Sequence, residues 1–189
     1  MNSASAMPNS GAIPVGSPSE KKPAAPHLDL TSVFRPNCIE MIRSASGKSS
    51  VISRLVQTLV CEERVERVHA EQIINGLLER ERHGTSAIGK GLAFPHLRTQ
   101  NVSNFVGAIG VAPDGINFSA LDNGLTKLVF LTLSPRDGRE QHITLLSRLV
   151  ALMQNKAVNM QLHHQIRPSD VYDYLTDLDE QSRALVGED

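Results

Sequence analysis

Tryptophan is absent from the chain, and aromatic residues make up only 4% of it. Binding modes that stack bases or sugars on aromatic platforms therefore have little to build on. Cysteine is equally scarce. Cys38 and Cys61 belong to no CxxC or other ligand-like spacing, which points to two half-buried structural thiols in a reducing compartment. Neither sign of charge dominates: the formal net charge is −1, so no overall positive field draws nucleic acid or an anionic membrane. No apolar run approaches the ~18–20 residues that span a bilayer. Residues 1–26 also lack the charged head and apolar stretch of a secretory signal. A cytoplasmic protein is expected, with no nucleic-acid partner and no membrane insertion.

What the chain does have is a core. Hydrophobic residues make up 40% of its 189 residues, enough for one domain of ordinary size. Residues 1–26 are rich in Ser, Ala, Pro, Gly and Asn and bury too little apolar surface to offset their ordering entropy. They read as a disordered tail, either passive or used for docking, and residues 27–189 as the domain. Val33-Phe34 and Ile39–Ile42 suggest a short helical turn and a strand. Val51, Ile52, Leu55, Val56, Leu59 and Val60 recur at helical spacing, and a second stripe of Ile73, Ile74, Leu77 and Leu78 runs out toward Gly84.

Strand-like runs follow. Leu92–Phe94 is short and is expected to end at Pro95. The stretches 105–111 and 128–133 are continuously apolar rather than alternating, as in strands covered on both faces. Pro113-Asp114-Gly115 and Asp122-Asn123-Gly124 read as turns. Asp137 and Glu140 are expected to cap a helix carrying Leu145, Leu149 and Met153, and a last helix is expected over 169–178. The sum is a single α/β domain, a small mixed sheet flanked by helices on both faces.

Seven histidines raise the question of a metal. The adjacent His163 and His164 would point about 100° apart on a helix, and no HxxxH, HExxH or Cys–His cluster occurs. No metal and no cofactor is expected. Residues 84–91 match G-x-x-x-x-G-K, but Gly91 stands where a magnesium-binding hydroxyl belongs, and the stretch leaves a helix instead of opening one. It reads as a glycine-rich connection.

Beyond that connection stands Pro95-His96. A histidine held at a strand end by a stiff proline sits where α/β sheets place their sites. Neutral imidazole is a nucleophile near pH 7 and suits phosphoryl carriage. His142, just after the first turn of its helix, either closes the rim of the core or serves a phosphoryl group near the helix N-terminus. Arg80, at the end of its helix, either meets the last carbonyls or folds toward His96 to bind phosphoryl oxygens.

The stretch Arg80-Glu81, Gly84-Thr85-Ser86, Ile88–His96 resembles the active-site signature of fructose/mannitol-type IIA domains of the bacterial phosphotransferase system. His142–Leu146 looks like that family's second histidine segment. The similarity spans roughly residues 28–185. It implies a mixed sheet flanked by helices, and His96 as the phosphoryl acceptor from the carrier protein HPr or a variant of it. It also implies that His142 assists and Arg80 steadies the phosphoryl group. The family usually has a small residue after the histidine; here Leu97 either narrows the donor's approach or packs inward. With one IIA-like domain and no cysteine acceptor motif, the chain is most similar in organisation to nitrogen-regulatory IIA proteins. The resemblance thus implies a regulatory phosphohistidine carrier acting on a target protein. The alternatives are a sugar-transport IIA that hands the phosphoryl to a IIB protein, and a module that binds partners without being phosphorylated.

Overall fold

The continuous apolar runs form the middle of a mixed six-stranded sheet. The computed structural model describes residues 28–44, 47–164 and 167–184; the expected tail, 1–26, lies outside them. In chain order the elements are α1 (Leu30–Val33), β1 (Phe34–Met41), α2 (Lys48–Cys61), a 3-10 turn (Arg67–His69) and α3 (Ala70–Arg82). Then come β2 (Ala87–Gly89), β3 (Leu92–Ala93), β4 (His96–Thr99), β5 (Val106–Ile116) and β6 (Thr126–Pro135). The chain closes with α4 (Arg139–Gln154), α5 (Lys156–His163) and α6 (Pro168–Ala184).

The sheet order is β1-β5-β6-β3-β2, with β4 also paired to β6. The β5/β6 pair is antiparallel, whereas β1 on β5 and both β3 and β4 on β6 are parallel. Proline cannot donate to a ladder, and Pro36 lies in β1, the strand at the sheet's edge. The apolar stripe of α2 is wholly buried, and with Ile73 and Leu77 of α3 it covers one face of the sheet. Leu145, Leu149 and Met153 of α4, Val158 and Leu162 of α5, and Val171 and Leu175 of α6 cover the other. Each such side chain contributes about 1.5–3 kcal/mol by leaving water.

Several expectations need correction. The strand at 92–94 resumes past Pro95: β3 and β4 lie end to end along β6, broken at Phe94-Pro95. Pro113–Gly115 is not a turn between strands but a register irregularity inside β5. The cap of α4 is Gly138, with no side-chain capping bond, so Asp137 does not cap it. Helix α5 was not visible in the pattern, and α6 is longer than 169–178. Cys38 is buried, but Cys61 is exposed rather than half-buried.

Candidate functional site

His96 opens β4 at the point where the ladder beside β6 restarts. Pro95 has no N–H to give, but its carbonyl accepts from Thr132 at 2.9 Å. The Phe94 carbonyl lies 2.8 Å from Nδ1 of the His96 ring. A carbonyl oxygen only accepts, so Nδ1 carries the hydrogen and the lone pair resides on Nε2. The Phe94 ring anchors this turn by stacking on Phe130, with centroids 5.6 Å apart.

His142 faces His96 from α4, with ring centroids 5.3 Å apart and planes tilted by 57°. The Ser134 hydroxyl, at the end of β6, holds the His142 Nδ1 at 2.7 Å. Burial, assisted by the charges of His96 and Arg98, pushes the His142 pKa down to about 4. Burial also holds His96 below the ordinary histidine range. Its bond to Phe94 pulls back upward, the Arg80 charge pushes down and Glu81 pulls up. Both rings are therefore neutral near pH 7.

Of the three residues singled out from sequence, His96 and His142 meet directly. The Arg80 Nη1 donates to the Gly84 carbonyl at 3.0 Å, just past the end of α3, and its charge lowers the His96 pKa. Leu97 points to the opposite face from His96 and packs inward, against Gly76 of α3. A Cβ on Gly76 would come within 2.9 Å of the Leu97 Cδ2. The stretch 84–91, expected as a plain connection, contains a strand of its own, β2, which turns back at Lys90-Gly91 in a tight hairpin to β3. Gly89 and Gly91 adopt positive φ there, and Asp122 Oδ2 accepts from the Lys90 N–H at 2.9 Å.

Three further residues support this arrangement, and the sequence reading gave none of them a role. Glu81 is buried; its carboxylate accepts from the Ser86 N–H at 3.1 and 3.3 Å and lies 3.7 Å from the Lys48 Nζ. It thereby ties the end of α3 to the loop that leads to His96. Its signal was its register, because Glu81 continues the buried positions Ile73 and Leu77 at intervals of four. Ser134 and Arg98 carried no such signal; only strand pairing, with Arg98 opposite Ser134, brings them to the site.

The family model described as "Phosphoenolpyruvate-dependent sugar phosphotransferase system, EIIA 2" matches residues 32–178. The chain belongs to this family. It is a IIA phosphocarrier domain of the phosphotransferase system. A fructose-specific EIIA component from Haloferax volcanii is 29% identical over 154 residues, covering 80% of this chain and 99% of the relative. A nitrogen regulatory protein from Bradyrhizobium diazoefficiens is 29% identical over 148 residues, covering 78% and 95%. The solved structure of the nitrogen regulatory protein IIA-Ntr from Neisseria meningitidis shares the fold, with a TM-score of 0.70, 22% identity, and 78% and 99% of the two chains covered. So does the Escherichia coli mannitol IIA in its complex with phosphorylated mannitol IIB, with a TM-score of 0.62, 21% identity, and 77% and 99% covered. The mixed sheet with helices on both faces is thus the IIA fold.

Proposed function

We propose that His96 accepts a phosphoryl group on Nε2 from a phosphohistidine of an HPr-like donor, stores it, and passes it to or withholds it from a regulated protein. The observation that carries this reading is the Phe94 carbonyl on Nδ1, which leaves Nε2 as the free nucleophile. The Nε2 lone pair attacks phosphorus, the donor's P–N bond breaks, and its electron pair returns to the donor ring. The His96 ring then carries phosphorus on Nε2 and hydrogen on Nδ1. Phe94 stabilises that hydrogen, which keeps the ring a good leaving group for onward transfer. With the Ser134 hydroxyl donating to Nδ1, His142 keeps its own hydrogen on Nε2 and offers it to a phosphoryl oxygen. Arg80 supplies compensating positive charge.

The inward packing of Leu97 supports an open approach for the donor and weakens the reading of an unphosphorylated binding module. Similarity reaches a nitrogen regulatory protein over 95% of its length and a fructose-specific EIIA component over 99% of its length, so a sugar-transport carrier that hands the phosphoryl to a IIB protein stands as the second reading. Incubation with phosphoenolpyruvate, enzyme I and HPr should add one acid-labile phosphoryl group. His96→Ala should abolish the gain, and His142→Gln should slow it. A gain that survives His96→Ala overturns the site assignment; no gain with donors shown to be active overturns the carrier reading.

A further inference from the structure

Both rings at the site are neutral near pH 7, so neither histidine brings positive charge to a phosphoryl group that carries about two negative ones. Arg80 brings one. Glu81 takes part of it back: its buried carboxylate pulls the His96 pKa upward, with Lys48 only 3.7 Å away as a partial offset. A phosphoryl transition state spreads charge over three oxygens and is stabilised by fixed cations and hydrogen-bond donors. That leaves the site one cation short. Arg98 stands where it can be supplied. It follows His96 by two residues along β4, and the register against β6 runs without a shift from His96 on Thr132 to Arg98 on Ser134. Side chains two apart on a strand share a face. Arg98 thus leaves the sheet on the face of His96, while Leu97 between them packs against α3. Its register partner, Ser134, is the residue that holds the His142 Nδ1. The Arg98 Nη1 donates to the Arg136 carbonyl at 3.3 Å, in the turn from β6 into α4. That tether keeps the guanidinium beside the start of the helix that carries His142. Arg98 is exposed, and among the described residues this is its one hydrogen bond and it forms no ion pair. Its remaining N–H groups are therefore open to a group arriving from solvent.

We propose that Arg98 is the second phosphoryl-binding cation of this site, its guanidinium donating to an oxygen of the group during transfer between the donor and His96. This role rests on the carrier reading of His96. Arg98 reaches the group from the α4 side, where His142 stands, whereas Arg80 comes from the end of α3. The planar fork keeps one arm on the Arg136 carbonyl and turns the other toward the oxygens, so the tether orients the cation. Arg98 forms no covalent bond and moves no proton. The bond made runs from His96 Nε2 to phosphorus, the bond broken is the donor's P–N bond, and its electron pair returns to the donor. Arg98 meets only the charge that builds on the oxygens. The resting structure already divides the two cations between the two rings: the Arg98 charge acts on His142 and the Arg80 charge on His96. With the rings 5.3 Å apart, a phosphoryl group held by both feels both charges.

The test compares two donors on the full chain. One is phosphorylated HPr; the other is phosphoramidate, a small P–N compound that releases ammonia on transfer and has no protein surface to dock. Arg98→Ala should take up phosphoryl from either donor about tenfold or more slowly, with the maximal rate falling and the half-saturating donor concentration unchanged. Arg98→Lys should recover part of the rate. The His142 ring should titrate higher in Arg98→Ala, the sign of a cation lost from an otherwise intact site. A loss confined to phosphorylated HPr and seen in the half-saturating concentration would make Arg98 a docking residue and overturn the proposal. Equal rates for Arg98→Ala and Arg98→Lys overturn it as well, because shape or folding, and not charge, would then account for the loss. Unaltered protein that accepts from neither donor removes the carrier reading and this role with it. Unaltered protein labelled on His96, with Arg98→Ala keeping pace, removes this role alone.

Discussion

His142 carries a cost that depends on pH. Its folded pKa of about 4 lies below the ordinary value of 6.5, so the unfolded chain binds the proton more readily than the folded one. Stability therefore rises with pH between those two values and falls as pH drops through them. The full shift corresponds to about 3 kcal/mol. Urea denaturation at pH 7 and pH 5 should show the loss, and His142→Asn should flatten it; an unchanged slope in that variant would assign the loss elsewhere. His96 is also shifted downward, chiefly by burial. A ring titration followed by NMR should find its midpoint below the ordinary histidine value, so the neutral imidazole persists into mildly acidic conditions.

At the scale of elements, Leu97 of β4 packs directly against Gly76 of α3. Leu97→Ala should destabilise by about 2–3 kcal/mol, the lower part of the range for large-to-small core changes, because Leu97 is only partly buried. Gly76→Ala alone forces a methyl against Leu97, but combined with Leu97→Ala it should add about 0.5–1 kcal/mol of helix stability. Strictly additive effects in a double-mutant cycle would remove the coupling. Leu97→Gly should not speed phosphoryl transfer, since the side chain already points away from the face that carries His96. The elements legible in the sequence were those with a strong period or a continuous run: the α2 and α3 stripes, β5, β6 and α4. Those that stayed hidden depend on partners remote in the chain. Four-residue β4 exists because β6 lies beside it, and Pro113–Gly115 stays in β5 because β6 pairs on both sides of the irregularity. The same division holds for the site. Pro95-His96 and Arg80 stand in one contiguous motif, whereas Ser134, Arg98 and the Phe94 carbonyl enter through strand pairing and a local turn.

Across the whole molecule, one buried ion pair ties the second helical layer together. Arg148 of α4 meets Asp179 of α6 at 2.7 Å, Asp179 also accepts from the Leu30 N–H at 3.3 Å, and Arg148 donates to the Leu28 carbonyl at 3.0 Å. Asp179→Ala leaves a buried guanidinium without its carboxylate and should cost about 3–5 kcal/mol in chemical denaturation. A loss under about 1 kcal/mol would mean that solvent reaches Arg148 freely. The break at Phe94-Pro95 has its own consequence for the molecule as a heritable object. Along β4 neighbouring side chains alternate between the α4 layer and the α3 layer, His96 to one and Leu97 to the other. Adding or deleting a single codon between Phe94 and His96 would trade those addresses, turning an imidazole toward the aliphatic layer and a leucine toward His142. Substitution can erode this site gradually, but an odd-numbered length change there would abolish it at a stroke. Parity is part of what inheritance has to preserve.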